Sequence, residues 1–371
     1  MPDFLATLPI PFESTNQISI SDFRIAKIKF TAPYVIPELP DYYVERPDYS
    51  EKIIKDFLSK SSVKNDVLVI TALHGLAGIG KSTLAIAVCQ DTRIQSKFKD
   101  GILWVTLGQS PDILSFLSAW IELLGGKGIK TSSAEAATLH LRSLLHNKSV
   151  LLVIDDAWSY DHIKHFIAGG KHCRVLITTR DQGIADAANA KSINLDTLSL
   201  RQALSLLKKR YTGIIDKADE KILPKICKAV EYLPLALAII ASQANDEIGW
   251  GEIHNDLISE IARLESLEMI NALDISDEES RKNISIKASF NLSLRRLSKE
   301  KLEQFTFLGL LHEDVAITSE MASNIWTIGN EKARDTLRYF YKKGLLLMGS
   351  ILKFGKKTYR ISTTWYERSS Q

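Results

Sequence analysis

Eight residues of this 371-residue chain have the types and spacing to hold a polyphosphate. They are Gly75-Leu76-Ala77-Gly78-Ile79-Gly80-Lys81-Ser82, which satisfy G-x-x-x-x-G-K-[ST] in full. A polyphosphate must be wrapped by backbone N–H groups, and glycine lets the main chain turn tightly with no Cβ in the way, the freedom that Gly75, Gly78 and Gly80 supply. The lining then runs through Ala77, Ile79 and Thr83 into the first turn of a helix, whose unpaired N–H groups and positive dipole end favour an anion. Lys81 is placed to reach the β and γ phosphates as a mobile point charge, and Ser82 offers a hydroxyl to Mg²⁺.

Further along, Ser149 to Trp158 reads SVLLVIDDAW, an apolar run ending in two carboxylates. At the C-terminal end of a buried parallel strand, where α/β sheets place their ligands, Asp155 would hold Mg²⁺ through its water shell and Asp156 would polarise an attacking water. The lesser alternative is that the two acids cap the next helix. Arg174 to Arg180 (RVLITTR) repeats the form, with Thr178, Thr179 and Arg180 at the tip. An arginine there senses a γ-phosphate by forked hydrogen bonds, or simply ends a strand in solvent. Arg46-Pro47 opens a helix, and Pro at a first helical turn explains that pair without any ligand.

The elements that must position these groups are legible in the periodicity. Val67 to Leu73 is a β-rich run of buried-strand length, and Thr83 to Cys89 is apolar nearly all round, as a helix packed on a sheet would be. Phe98 to Thr106 reads as a turn then a strand, and Tyr49–Lys60, Pro111–Leu124 and Ser133–His146 as helices, with Trp104 and Trp120 in the core. Phe23 to Phe30 alternates like a short strand. Past Leu195 the reading is helices only: Ser199–Lys209, Asp219–Val230, Leu233–Ala244, Gly249–Ser280, Ile284–Leu297, Lys299–Leu310, Thr318–Trp326 and Asn330–Lys342. Two strands joined near Gly349 follow, and helices followed by a β-hairpin suggest a winged helix.

Composition narrows the class. The chain is 45% hydrophobic and 25% charged, ordinary globular usage, with length for two or three domains. A net charge of +3 is too small to argue for nucleic acid without a localised patch. Cys89, Cys173 and Cys227 are odd in number and carry no C-x-x-C pair, so no disulfide framework or zinc knuckle is indicated and a reducing compartment is expected. No basic n-region precedes Pro9 and Pro11, and the most apolar run, Leu233 to Ala241, is far short of the roughly 20 residues a membrane span requires, so a cytoplasmic location is expected.

Five stretches in this order resemble the NB-ARC family, the switch ATPases of plant disease-resistance receptors, apoptosome scaffolds and bacterial STAND proteins. They are ITALHGLAGIGKSTLA, LLVIDDAW, VLITTR, EYLPLALA and FLGLLHEDVAIT. The resemblance, from about Tyr43 to Arg360, implies a P-loop parallel α/β domain followed by an all-helical domain and a winged-helix domain. Boundaries follow: a leader at 1–40, the α/β domain at 41–194, the helical domain at 195–280, the winged helix at 281–362 and a tail at 363–371. It implies that Val44 and Arg46 contact the base and ribose region, that Pro234 and Leu235 belong to the adenine pocket, and that Arg180 is the sensor arginine. Tyr232 stands where the family usually has glycine, as does Glu45 in many members. The family's Met-His-Asp-like triplet, whose histidine holds the ADP β-phosphate, is matched here by Ile361-Ser362-Thr363.

The function implied is an ADP/ATP signalling switch with slow ATPase turnover, closed with ADP and opened by ATP, using Mg²⁺. A separate sensor or effector chain and homo-oligomerisation on activation are the expected partners, with nucleic acid and membrane not expected. The rival reading is a DNA-binding regulator whose phosphate contacts are Lys342, Lys343, Lys353, Lys356, Lys357 and Arg360. Family members usually carry an effector module before and repeats after this core, whereas about 40 residues precede Tyr42 here and TTWYERSSQ follows Ser362. The expectation is therefore a switch core separated from its sensor, either a prematurely ended reading or a natural short form.

Overall fold

The structure, a computed structural model, describes residues 32–59, 67–72, 77–126, 133–245, 247–270, 278–311, 315–351 and 357–361, which belong to one compact unit beginning at Ala32. The strand expected over Phe23–Phe30 lies outside these residues, as does Gly75.

The first lobe alternates helices and strands: α1 (Pro47–Leu58), β1 (Val67–Ala72), α2 (Lys81–Gln90), α3 (Thr92–Lys97), β2 (Gly101–Gly108), α4 (Ile113–Leu123) and α5 (Ala134–Leu145). It continues with β3 (Val150–Ala157), α6 (Tyr160–Ile163), β4 (Arg174–Thr179), α7 (Gln182–Ala187) and β5 (Lys191–Leu195). The strands form one parallel sheet in the order β2-β3-β4-β1-β5. Both of its faces are covered, which is why β3 is apolar without alternation: Leu152 and Ile154 pack with α4 and α5, while Leu151 and Val153 pack with α1 and α2. Trp104 and Trp120 are buried as expected. The sequence reading overlooked β5, whose KSINL exposes alternate residues at the sheet edge and offers too short an apolar signal.

Part of the stretch read as a leader belongs to this lobe. Ile102 donates to the Pro33 carbonyl (2.9 Å) and Val35 to the Ile102 carbonyl (3.0 Å), so the chain near Tyr34 runs alongside β2 and covers that edge.

The second lobe is helical: α8 (Leu200–Arg210), α9 (Lys217–Ala229), α10 (Pro234–Ala241), α11 (Trp250–Ile270) and α12 (Glu278–Arg295). Ser199 and Asp216 close reciprocal capping boxes with Gln202 and Asp219, which start α8 and α9 sharply. α10 is buried from Ala236 to Ala241, as its uninterrupted apolar sequence demands. The chain then forms α13 (Lys299–Leu308), α14 (Ser319–Trp326), α15 (Asn330–Lys342) and an antiparallel pair, β6 (Leu346–Ile351) with β7 (Lys357–Ile361). Gly349 lies inside β6 rather than at the joint between the strands, a correction to the sequence reading.

No sharp boundary falls at residue 281. α12 supplies Ile286, Ala288 and Leu292 to the helical core but Phe290 and Leu294 to the C-terminal core, and Ile239 of α10 joins the latter. The helix is buried on opposite faces, so the two cores share it.

Candidate nucleotide site

The phosphate loop ends in two glycines with left-handed backbone, Gly78 at φ +70° and Gly80 at φ +97°, the latter capping α2. Only glycine takes both without strain. Gly78 has a second reason: a Cβ there would lie 2.7 Å from Leu235 Cβ, because the Leu235 N–H donates to the Gly78 carbonyl at 3.1 Å. The helical lobe is thus bonded to the loop, and Pro234 stands beside Gly80, 3.9 Å from where a Cβ would be. Pro234 and Leu235, separated from the loop by more than 150 positions in sequence, close one side of it.

Lys81, Ser82 and Thr83 form the first turn of α2, where N–H groups have no carbonyl inside the helix and Gly80 provides no side-chain cap. Lys81 is partly buried, and its ammonium is pulled down to about 8, first by desolvation and next by the Arg180 guanidinium, while Asp156 and Asp155 pull it up. A lysine at a helix N-terminus, desolvated and repelled by a second cation, is in a setting whose electrostatics an anion would relieve.

Asp155 is buried and its carboxylate accepts from Thr178 Oγ1 (2.6 Å) and Thr106 Oγ1 (3.3 Å). Asp156 has a left-handed backbone, φ +56°, and its N–H donates to Thr178 Oγ1 at 2.9 Å. The two acids therefore have different settings, one anchored in the sheet and one partly exposed at its rim. Helix α6 is capped by Ser159, not by either acid, so the capping reading does not apply to them. Arg180 sits over the ring of Trp158, 5.0 Å from Cζ to centroid.

Arg46 is buried and spends its guanidinium on backbone: Nη1 donates to the Ile79 carbonyl (3.3 Å), and Nη2 to those of Asp196 (2.6 Å) and Thr197 (3.2 Å). It also lies over the Tyr49 ring. Arg46 thus ties the phosphate loop to the β5–α8 connection, and Pro47 is the first residue of α1, as the helix-start reading of the pair has it. Val44 packs against the helical core beside Tyr42.

Sequence reasoning did not single out Thr106, Tyr49 or Trp158 for roles at the site. Trp158 and Thr178 were visible in the motif strings, but Thr106 lies on a separate strand and only the fold brings it to Asp155. Ser362 and Thr363 lie outside the described residues.

The donor set fits a Mg²⁺-nucleotide on its chemistry: a hydroxyl at Ser82, hard carboxylates at Asp155 and Asp156, two cations, and glycines with no room for a Cβ or no allowance for one. Cys89, Cys173 and Cys227 are buried free thiols, in keeping with the absence of a disulfide pattern.

Comparison with known proteins places these features. Residues 47–213 match the NB-ARC domain. Regulatory protein AfsR of Streptomyces griseus is 27% identical over 258 residues, which is 67% of this chain and 25% of that protein. Human apoptotic protease-activating factor 1 is 24% identical over 362 residues, 91% of this chain and 27% of its own length. The chain thus spans about a quarter of these relatives. In fold it resembles the STAND protein with a tetratricopeptide repeat sensor from Pyrococcus horikoshii (TM-score 0.52, 18% identity, 92% of this chain and 44% of that one). The phosphate loop and the acidic β3 tip of this one parallel sheet thus lie within residues 47–213, the segment that is similar to the NB-ARC domain.

Proposed function

We propose that this protein is a signalling switch that closes around ADP and opens with ATP, hydrolysing ATP slowly. The observation that carries the reading is the bond from Leu235 to Gly78, because it makes the packing of the helical lobe depend on the shape of the phosphate loop. In this reading Lys81 and the N–H groups of Gly78 to Thr83 hold the phosphates, and Pro234 and Leu235 flank the base. Val44 shapes the base region, and Arg46 braces the loop against the β5–α8 connection through its Nη groups. Bound Mg²⁺ would neutralise the β- and γ-phosphate charge. Ser82 and Asp155 would orient it, and Asp156 would hold and polarise the attacking water.

Moving such a switch from about 1:99 to 99:1 takes roughly 5.5 kcal/mol of differential binding. Two to four charge-assisted hydrogen bonds to a γ-phosphate, at about 1.5 to 3 kcal/mol each, are of that size. We assign α13–α15 with β6–β7 to a winged helix that packs inside the molecule. Lys343, one of the six basic residues of the DNA-binding alternative, supports this: its Nζ donates to the Ser242 carbonyl (3.3 Å). A separate sensor or effector chain and self-assembly in the open state complete the proposal.

The test is to denature the purified protein and identify the nucleotide it releases. ADP in near-equimolar amount is expected. Release of no nucleotide, together with no thermal stabilisation by Mg·ADP or Mg·ATP, would reject the reading.

A further inference from the structure

Trp158 follows the β3 strand directly, and how it comes to face Arg180 can be read from the sheet register. Up to Ile154, β3 pairs with β4 in the register Ile154↔Ile177, and that offset would continue to set Ala157 against Arg180. A bulge intervenes, and pairing resumes at Ala157↔Thr179. β3 therefore spends Asp155 and Asp156 opposite the single residue Thr178, whose hydroxyl serves both of them. The left-handed turn at Asp156 is where the extra residue is absorbed. Trp158 and Arg180 each follow directly on the last registered pair, and the guanidinium lies over the indole at 5.0 Å. The tips are locked in this alignment by Thr179 Oγ1, which donates to the Ala157 carbonyl at 2.7 Å.

A contact through the ring face engages the charge of the guanidinium and leaves its in-plane N–H donors directed elsewhere. Such a contact restricts the arginine through its face and is not itself a hydrogen bond. The side chain is long, and an arginine left to find its ligand from many rotamers would give up part of each bond in ordering itself. Arg180 also lies close enough to Lys81, the first residue of α2, to act on its ammonium.

We propose that Trp158 is a positioning residue: its indole face holds Arg180 toward the phosphate loop and so sets how strongly the site distinguishes a nucleoside triphosphate from a diphosphate. This rests on the nucleotide reading above. The bulge that separates the two acids is then also what aligns the arginine with its seat.

The experiment compares wild type, Trp158→Leu, Trp158→Phe and Arg180→Ala, measuring affinity for Mg·ADP and for a non-hydrolysable Mg·ATP analogue by calorimetry. Leu keeps apolar bulk without a π face, and Phe keeps a face. Trp158→Leu should leave ADP affinity within about twofold and weaken the triphosphate about three- to tenfold. Trp158→Phe should recover most of that loss, and adding Trp158→Leu to Arg180→Ala should cost nothing further. Equal weakening of both nucleotides by Trp158→Leu, no recovery in Trp158→Phe, or full additivity in the double variant would overturn the role of Trp158 alone. A wild type that binds neither nucleotide would overturn the underlying reading, and this inference with it. Should Trp158→Leu fail to fold, the Phe variant and its pairing with Arg180→Ala carry the same comparison.

Discussion

Lys81 is the group whose setting makes the sharpest claim about ligand charge. Its ammonium is pulled down to about 8 in the folded protein against about 10.4 in an unfolded chain. Between those values the unfolded state holds more protons, so the nucleotide-free protein should gain stability as pH rises from about 8 toward 10.4. A bound polyphosphate favours the charged form, so binding at pH 8.5 should take up a fraction of a proton and at pH 7 almost none. Calorimetry in two buffers of different ionisation enthalpy measures that uptake, and equal uptake at both pH values would contradict the assignment. Lys81→Ala should lose the uptake and also the thermal stabilisation by Mg·ADP, which in wild type is about 2.7 kcal/mol at a hundredfold excess over Kd. Asp155 and Asp156 should separate in the same assays. Asp156→Ala should slow hydrolysis with ATP binding retained, whereas Asp155→Ala should abolish Mg²⁺ dependence. Identical defects in the two would mark the pair as structural. Thr178→Val should destabilise the fold by about 1 to 3 kcal/mol, because it removes a partner from a buried carboxylate and from the Asp156 N–H at once. Urea unfolding checks this, and an unchanged midpoint would show that both groups find other partners.

At the scale of elements, the sequence revealed what a single segment determines and concealed what two segments determine together. The strand, loop and helix of the phosphate site were legible because glycine, Lys81 and an apolar run each answer a local demand. The capped starts of α8 and α9 were within a few residues of expectation for the same reason. β5 was not, since an edge strand of five residues with alternate exposure differs little from a loop in composition. Nor was the bulge in β3, which depends on a hydroxyl from β4 and leaves no mark in the sequence of β3 beyond two acids in succession. Tyr232 is a middle case. It has φ +57° and follows Glu231 at φ +51°, so the turn after α9 asks for the glycine that the family usually carries there. Here a tyrosine packed against the helical core holds that turn, the backbone strain being offset by the contact of its ring. Gly78→Ala tests the element junction directly. Its Cβ would lie 2.7 Å from Leu235 and at a left-handed φ, so the variant should lose about 1 to 2 kcal/mol of stability or more. Leu235→Ala should not rescue it, because the atom nearest to the added Cβ is the Cβ that alanine keeps.

At the scale of the molecule, the helical and C-terminal lobes meet at the end of α15, where a polar seam is built on three consecutive backbone positions. The Lys342 carbonyl accepts from Arg210, whose guanidinium also lies over the Tyr42 ring at 4.6 Å. The Lys343 carbonyl accepts from Ser242 (3.1 Å) and Ser293 (3.3 Å), and Gly344 turns at φ +71° with a hypothetical Cβ 3.0 Å from Ile239. These are the last carbonyls of a helix, the negative end of its dipole, met by a cation and two hydroxyls. Within the helical lobe, Arg296 just past α12 bonds Gln243 at the α10 end and Asp256 of α11. This seam of side-chain donors on backbone acceptors runs beside the apolar contacts that Ile239, Phe290 and Leu294 make with the C-terminal core. Arg210→Ala should therefore loosen the C-terminal lobe while leaving the parallel sheet intact, since α8 keeps its buried face of Ala203, Leu206 and Leu207. Hydrogen exchange should quicken at α15 and β6 and stay unchanged in β1, β3 and β4. If the switch reading is right, the same variant should bind Mg·ATP relatively better than Mg·ADP, because a closed state held by fewer bonds is easier to leave. Quickened exchange throughout the sheet would instead mean that the seam supports the fold as a whole. Unchanged exchange at α15 would mean that Ser242, Ser293 and Gly344 hold the lobe without the arginine.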